Sequence, residues 1–126
     1  MNDHGVVVGS SGNARGGVEA FIDDGAMRPL FTTTTGLDIA EAYAINNRRQ
    51  VVGTLNEAGF LWDDGRLTML RDLLTQEQRA AWGVLTPMDI NDRGWIVGVA
   101  STAGINGIPG GYRRGFILKT RSWWGS

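Results

Sequence analysis

Nine residues at the N-terminus, Met1-Asn-Asp-His-Gly-Val-Val-Val-Gly9, return as Ile45-Asn-Asn-Arg-Arg-Gln-Val-Val-Gly53 and again as Ile90-Asn-Asp-Arg-Gly-Trp-Ile-Val-Gly98. From Asn2 to Asn46 to Asn91 the steps are 44 and 45 residues. A period in this range implies supersecondary units that bury their apolar faces on one another. A second landmark follows each copy: Glu19-Ala-Phe-Ile-Asp-Asp-Gly25, Ala58-Gly-Phe-Leu-Trp-Asp-Asp-Gly65 and Arg114-Gly-Phe-Ile-Leu118. The Phe lies 12, 7 and 18 residues after the closing glycine of the first landmark. Fixed points with a variable distance between them imply a surface loop of free length. A third landmark, Met27-Arg-Pro-Leu30, is matched by Leu67-Thr-Met-Leu70.

Each copy reads as four short strands, represented by Glu41 to Ile45, Gln50 to Leu55, Gly59 to Asp63 and Arg66 to Leu70. All are rich in β-branched or aromatic residues and bounded by turn chemistry. The expected fold is therefore all-β, with about three four-stranded antiparallel units. The 19 glycines, about twice the usual share of roughly 7%, fit a chain of many tight turns. Asn91 to Gly94 suits a type I turn closed by a left-handed glycine. Asn2, Asn46 and Asn91 are expected as Asx-turn residues, with Gly5 and Gly94 at the left-handed position. Gly25 and Gly65 are expected to serve the same kind of connection between the third and fourth strands. The second copy places Arg49 at the left-handed position, at a cost of about 1 kcal/mol, which should make that turn the weakest. Thr75-Gln-Glu-Gln78 is a capping box, predicting one short helix near 75–82 ended by Gly83. Ser10 to Gly17, Thr32 to Gly36 and Ser101 to Gly111 read as surface loops.

The chemistry that the residues exclude is extensive. Twelve basic and 13 acidic residues are dispersed, so no basic stripe supports nucleic-acid binding. The absence of cysteine removes disulfides, thiolate nucleophiles and cysteine zinc sites. No apolar run approaches the ~20 residues of a membrane span. Met1 to Gly5 offers neither a basic nor an apolar region, so no signal peptide is expected here. His4, the single histidine, sits in a turn without a nucleophile pattern. Asp23-Asp24 and Asp63-Asp64 lead into glycine turns, and adjacent residues of a strand point to opposite faces. Hairpin formation accounts for them better than acid–base catalysis or calcium binding. No catalytic residue, metal site or cofactor is expected. Trp62, Trp82 and Trp95 are the candidate ligand-binding residues, because indole faces match sugar C–H surfaces; packing between repeats is the competing role. Gly104 to Gly111 lacks the Lys-Ser/Thr of a phosphate loop and reads as a long hairpin loop.

Together the spaced landmarks resemble the bacterial extracellular repeat family named for a His-Ala-Phe (HAF) signature. Its repeats carry an Ile-Asn-Asp-x-Gly-x-Val-Val-Gly turn, then Ala-Phe-Leu-Trp-x-x-Gly, then a short Leu-containing strand. Here these are Ile90 to Gly98, Ala58 to Gly65, and Leu67 to Leu70. The naming histidine is replaced by Glu19, Ala58 and Arg114 in the three copies. The resemblance covers nearly the whole chain and implies β-propeller blades and an extracellular or envelope location.

The expected organisation is one repeat domain over 1–120, with copies at about 1–44, 45–89 and 90–120. Residues 121–126, with Trp123 and Trp124, form a tail that either completes an edge strand or lies outside the repeat. The chain opens at the Asn turn and stops after the third Phe strand, whereas propellers close with four to eight blades. The expected remedy is a homo-oligomer, a dimer of six blades in preference to a trimer of nine. The leading functional expectation is a non-catalytic repeat module, a scaffold or binding surface for a carbohydrate or protein. The alternatives are a lectin with aromatic pockets repeated around an oligomeric ring, and an engineered or natural propeller fragment that self-assembles without a ligand.

Overall fold

Among the described residues the chain forms ten strands, one 3₁₀ turn and one short helix. The computed structural model describes residues 1–31, 37–81, 83–101 and 113–119. Three antiparallel sheets follow one another. The first holds β1 (Val7–Gly12), β2 (Val18–Asp23) and β3 (Met27–Pro29). The second holds β4 (Ala40–Ile45), β5 (Gln50–Leu55), β6 (Ala58–Asp63) and β7 (Arg66–Met69). The third holds β8 (Val84–Ile90), β9 (Trp95–Ser101) and β10 (Arg113–Lys119). Each sheet is a plain meander, strands pairing in chain order. The all-β expectation holds. Among the described residues the second sheet has the four strands expected of a copy, and the first and third have three each.

One register recurs in all three sheets. Gly9 lies opposite Phe21, Gly53 opposite Phe60 and Gly98 opposite Phe116. The two sequence landmarks are thus cross-strand partners, and the loop between them varies without disturbing their pairing. The glycines have a steric reason. A Cβ on Gly53 would collide with the carbonyl oxygen of Glu41 and lie 2.9 Å from Ala42 Cα. A Cβ on Gly98 would collide with Thr86 O and lie 2.8 Å from Pro87 Cα. Both obstacles are backbone of the preceding strand, beside the register shifts at Ala42/Ala44 and Pro87/Asp89. The β-bulge bends that strand inward, and only a residue without a side chain fits beneath it.

The sheets stack face to face through two apolar cores. Between the first and second lie Val6, Ala20, Ile22 and Leu30 against Ala40, Ala42, Val51 and Phe60. Phe31 meets Phe60 edge-to-face, with ring centroids 5.3 Å apart. Between the second and third lie Val52, Leu61 and Leu70 against Leu85, Ile90, Ile96 and Ala100. Leu30 and Leu70, which close the third landmark, are both buried.

Turn chemistry accounts for most connections, with three differences from expectation. Gly5 (φ 78°), Arg49 (φ 62°) and Gly94 (φ 81°) share the left-handed position after each Asn turn, as expected. Asp64 (φ 49°) and Gly65 (φ 85°), however, form a two-residue hairpin between Asp63 and Arg66, not a bulged type I connection. Two successive positive φ values match the right-handed twist of the flanking strands. The Asp23–Met27 connection is longer, with Gly25 at φ 122°. Ser10 to Gly12, expected in a loop, belong to β1 and pair with Ala20, Glu19 and Val18. Cross-strand bonding to β2 holds these small residues extended although their propensity is weak. The loop proper is 13–17.

The capping box forms as read. Thr75 Oγ1 accepts from Gln78 N at 3.2 Å, Gln78 Oε1 accepts from Thr75 N at 2.9 Å, and α1 (Gln76–Ala81) follows. A 3₁₀ turn, Leu70–Leu73, precedes it without a sequence signal of its own. The Thr32 to Gly36 loop, Trp82, Gly104 to Gly111 and the tail from 121 lie outside the described residues, as does the Ser101 to Gly111 loop except for Ser101 itself, which ends β9.

Candidate functional site

The antiparallel meander brings the three Asn turns to one end of the stack, where their side chains do two jobs. The first is local. Asn2 Oδ1 accepts from His4 N and Val6 N, each at 3.0 Å. Asn46 Oδ1 accepts from Arg48 N (3.0 Å) and Gln50 N (2.9 Å), and Asn91 Oδ1 from Arg93 N and Trp95 N (3.0 Å each). These are the expected Asx turns.

The second job was not expected. Asn2 Nδ2 donates to Asn46 O at 3.0 Å, and Asn46 Nδ2 donates to Asn91 O at 2.8 Å. One residue further on, Asp3 N donates to Asn47 Oδ1 (2.7 Å) and Asn47 N to Asp92 Oδ1 (2.8 Å). The Asn47 amide also donates to Asp3 Oδ2 (2.8 Å) and Asp92 Oδ2 (2.9 Å). Asn46 is buried and further bonded to Gln50 Oε1 at 2.7 Å. The turns thus form a directional amide ladder that ties the three sheets in series. Its sequence signal was the second turn position, Asp3, Asn47 and Asp92, which alternates acceptor-only and amide side chains.

Beside the ladder a cleft of about 460 Å³ is lined by Arg28, Arg48, Arg49, Trp62, Asp63 and Asp64. Asp24 accepts from both Arg49 (2.6 Å) and Arg28 (2.9 Å) near its rim. The Arg49 guanidinium first, and Arg28 second, hold the Asp24 carboxyl below its ordinary value of 3.8. A depressed carboxylate stabilises the fold above its unfolded-state value and loses that contribution as pH falls through the lower folded-state value. Asp24→Asn should therefore be less stable than the parent at neutral pH, the gap closing in acid below pH 3.8. Urea midpoints across the acid range measure this; a gap that persists at the lowest pH would assign the effect to something other than the carboxylate.

The opposite end of the stack, where loop 13–17 and the Asn56–Glu57 turn lie, carries a second cleft of about 710 Å³ between the second and third sheets. Tyr43, Glu41, Thr54 and Asn56 line one wall, Thr86 and Arg113 the other. The Tyr43 hydroxyl bonds Glu41 Oε2 (3.2 Å) and Thr54 Oγ1 (3.1 Å), fixing the ring at the cleft wall. Nothing singled out Tyr43 in the sequence, because its role depends on the bulge beside it.

The two candidate tryptophans among the described residues, Trp62 and Trp95, do not converge. Trp62, half-buried, lies in the ladder-end cleft and packs partly on the core between the first two sheets. Its register equivalents are Asp23 and Leu118, paired with Val7 and Ile96 as Trp62 is with Val51. Trp95 lies on the far face of the third sheet, with Lys119 Nζ 4.5 Å and Arg93 5.8 Å from its ring centroid. Its equivalents are Val6 and Gln50. Aromatic side chains are therefore not repeated at either position. Comparison of the chain with protein-family models, with curated proteins and with solved structures found no match.

Proposed function

We propose that the chain is a non-catalytic repeat module whose sheets are propeller-type blades, serving as a scaffold or binding surface of extracellular bacterial type. The amide ladder carries this reading. A set of side chains used to hold successive turns together is the signature of a chain selected for serial stacking. The identical Gly–Phe register in three sheets and the landmarks resembling HAF repeats support it, and the extracellular setting rests on that resemblance alone. In this reading the ring is completed by association of copies, two in preference to three. The ligand surface is the end bearing the 13–17 loop and the Tyr43 cleft, because loops on a rigid scaffold vary without cost to the core.

A panel of chromogenic glycosides and esters incubated with the protein tests the absence of catalysis. No turnover is expected. Hydrolysis that disappears in Asp63→Asn or Glu41→Gln would overturn the reading and assign acid–base chemistry to one of the clefts.

A second reading is favoured by Trp62, an aromatic side chain lining the arginine-rich cleft. There a sugar acid would stack on the indole while a guanidinium met its carboxylate. Intrinsic fluorescence titrated with uronic-acid oligosaccharides decides between them: a saturable quench lost in Trp62→Phe favours the lectin, and a flat titration the scaffold.

A further inference from the structure

We propose that the two outer faces of the three-sheet stack are the two halves of one head-to-tail interface, and that its occupant is a second copy of this chain. The proposal rests on reading the sheets as serially stacked blades. It adds the residues, the polarity and the charge balance of the contact.

The repeat itself identifies what each face expects. Residues equivalent by register play the same part in every sheet. Val52 and Leu61 point forward from the second sheet and are 0% and 6% exposed, covered by the third. Val97 and Ile117 hold those positions in the third sheet, where they stand 40% and 64% exposed. Trp95 sits next to them, at the place where Val6 and Gln50 are buried. A large aromatic flanked by exposed aliphatic side chains is the composition of an interface centre. The backward faces tell the same story: Val51 and Phe60 are fully buried under the first sheet, while their counterparts Val7 and Phe21 are 37% exposed and half-buried. A forward face of Trp95, Val97 and Ile117 therefore meets a backward face of Val7 and Phe21, repeating an arrangement the chain already makes twice.

The ladder supplies the polarity. Asn46 O and Asn91 O each accept one amide from their own turn and one from the preceding Asn side chain. Asn2 O accepts only Gly5 N among the described residues. At the other end, Asn91 Nδ2 and Asp92 N have no partner among the described residues. Continued by one step, Asn91 Nδ2 donates to Asn2 O of the second copy, and Asp92 N to the Asp3 carboxylate of the second copy. These ends fit each other and not themselves, so the contact is heterologous. It closes into a ring where the rotation allows and otherwise grows as a filament.

The junction differs from the internal ones in charge. Within the chain the Asn47 amide separates and bridges Asp3 and Asp92. Between copies Asp92 faces Asp3 directly, with no amide between them. Like charges in apposition weaken association, and salt screens them. The self-contact is thereby weaker than its apolar area alone would give, and it tightens as ionic strength rises.

Sedimentation velocity of the full chain across the micromolar range tests this. The wild type is expected to self-associate, more so in added salt. Ile117→Lys and Val7→Lys each replace an exposed side chain, so both fold, and each weakens association by roughly ten-fold or more. An equimolar mixture of the two restores one intact junction and yields a 1:1 heterodimer. Asp3→Asn tightens association by roughly three-fold and removes most of the salt response. A wild type that stays monomeric at every concentration overturns the proposal. So does association that survives Val7→Lys, which would mean a face meeting itself, and so does a mixture that fails to recover. The stacked-blade reading fails separately, through an Asn46→Asp variant as stable as the parent.

Discussion

Gly53→Ala is expected to lower the stability of the fold by about 3 kcal/mol, the upper part of the range for forcing an atom into a packed interior. The new methyl would meet Glu41 O and Ala42 Cα, both backbone of β4 at its bulge. That strand can retreat only by giving up hydrogen bonds to β5, or by opening the core that Ala40, Ala42 and Ile45 share with the first sheet. Gly98→Ala, beneath Thr86 and Pro87, should behave alike. Gly9→Ala is the control. Its methyl would meet only the Phe21 ring, with Cζ at 2.8 Å. That half-buried ring can turn aside, so the cost should stay below about 1 kcal/mol. Urea denaturation midpoints at constant slope measure all three. Equal costs at Gly9 and Gly53 would show that the glycine landmark is not explained by the approach of the preceding strand.

Asn46→Ala carries the other large effect, about 3 kcal/mol. The substitution removes the acceptor for Arg48 N and Gln50 N, strips Gln50 Oε1 of its Asn46 donor, and leaves Asn91 O with Gly94 N alone of its two donors. Gln50 is itself 4% exposed, so water cannot replace what is lost. Each unsatisfied buried group costs roughly 1–3 kcal/mol, which places a sum of partly relaxed losses near this value. Asn91→Ala loses only the local turn bonds at an exposed position, and about 1 kcal/mol is expected. Asn46→Asp separates the two jobs of the side chain: Oδ1 still accepts in the turn, while the amide rung to Asn91 is gone. If Asn46→Asp is as stable as the parent, the ladder is incidental geometry and does not hold the sheets together.

Much of this molecule was legible in the amino-acid order, and the reason is local. The period from Asn2 to Asn46 to Asn91 predicted three equivalent units, and strands β4 to β7 lie within a residue or so of the bounds expected from β-branched runs and turn residues. Turn and cap chemistry involves residues at most five apart in sequence. Arg49 at positive φ and the Thr75–Gln78 box were therefore readable from residue type alone. The errors arose where neighbours in space outweighed neighbours in sequence. Ser10 to Gly12 carry little strand propensity, yet pairing with β2 extends them. Asp64-Gly65 took the tighter hairpin because the register between Asp63 and Arg66 leaves two residues to turn in.

The candidate sites divide along the same line. That Asn2, Asn46 and Asn91 shape turns was settled by their side chains and the residues beside them. That the Asn2 and Asn46 amides also donate to the backbone carbonyl of the next turn, across 44 and 45 residues, was decided by the stacking of sheets, which brings one turn end within 3.0 Å of the next. Trp62 and Trp95 look alike in sequence but occupy different faces of different sheets, because strand alternation assigns a face only once the register is known. The chain order thus determined the units, their turns and their apolar alternation. Only the tertiary structure decided which faces remain open, since an exposed Ile117 and a buried Leu61 are the same residue of the repeat, distinguished solely by whether another sheet lies on top.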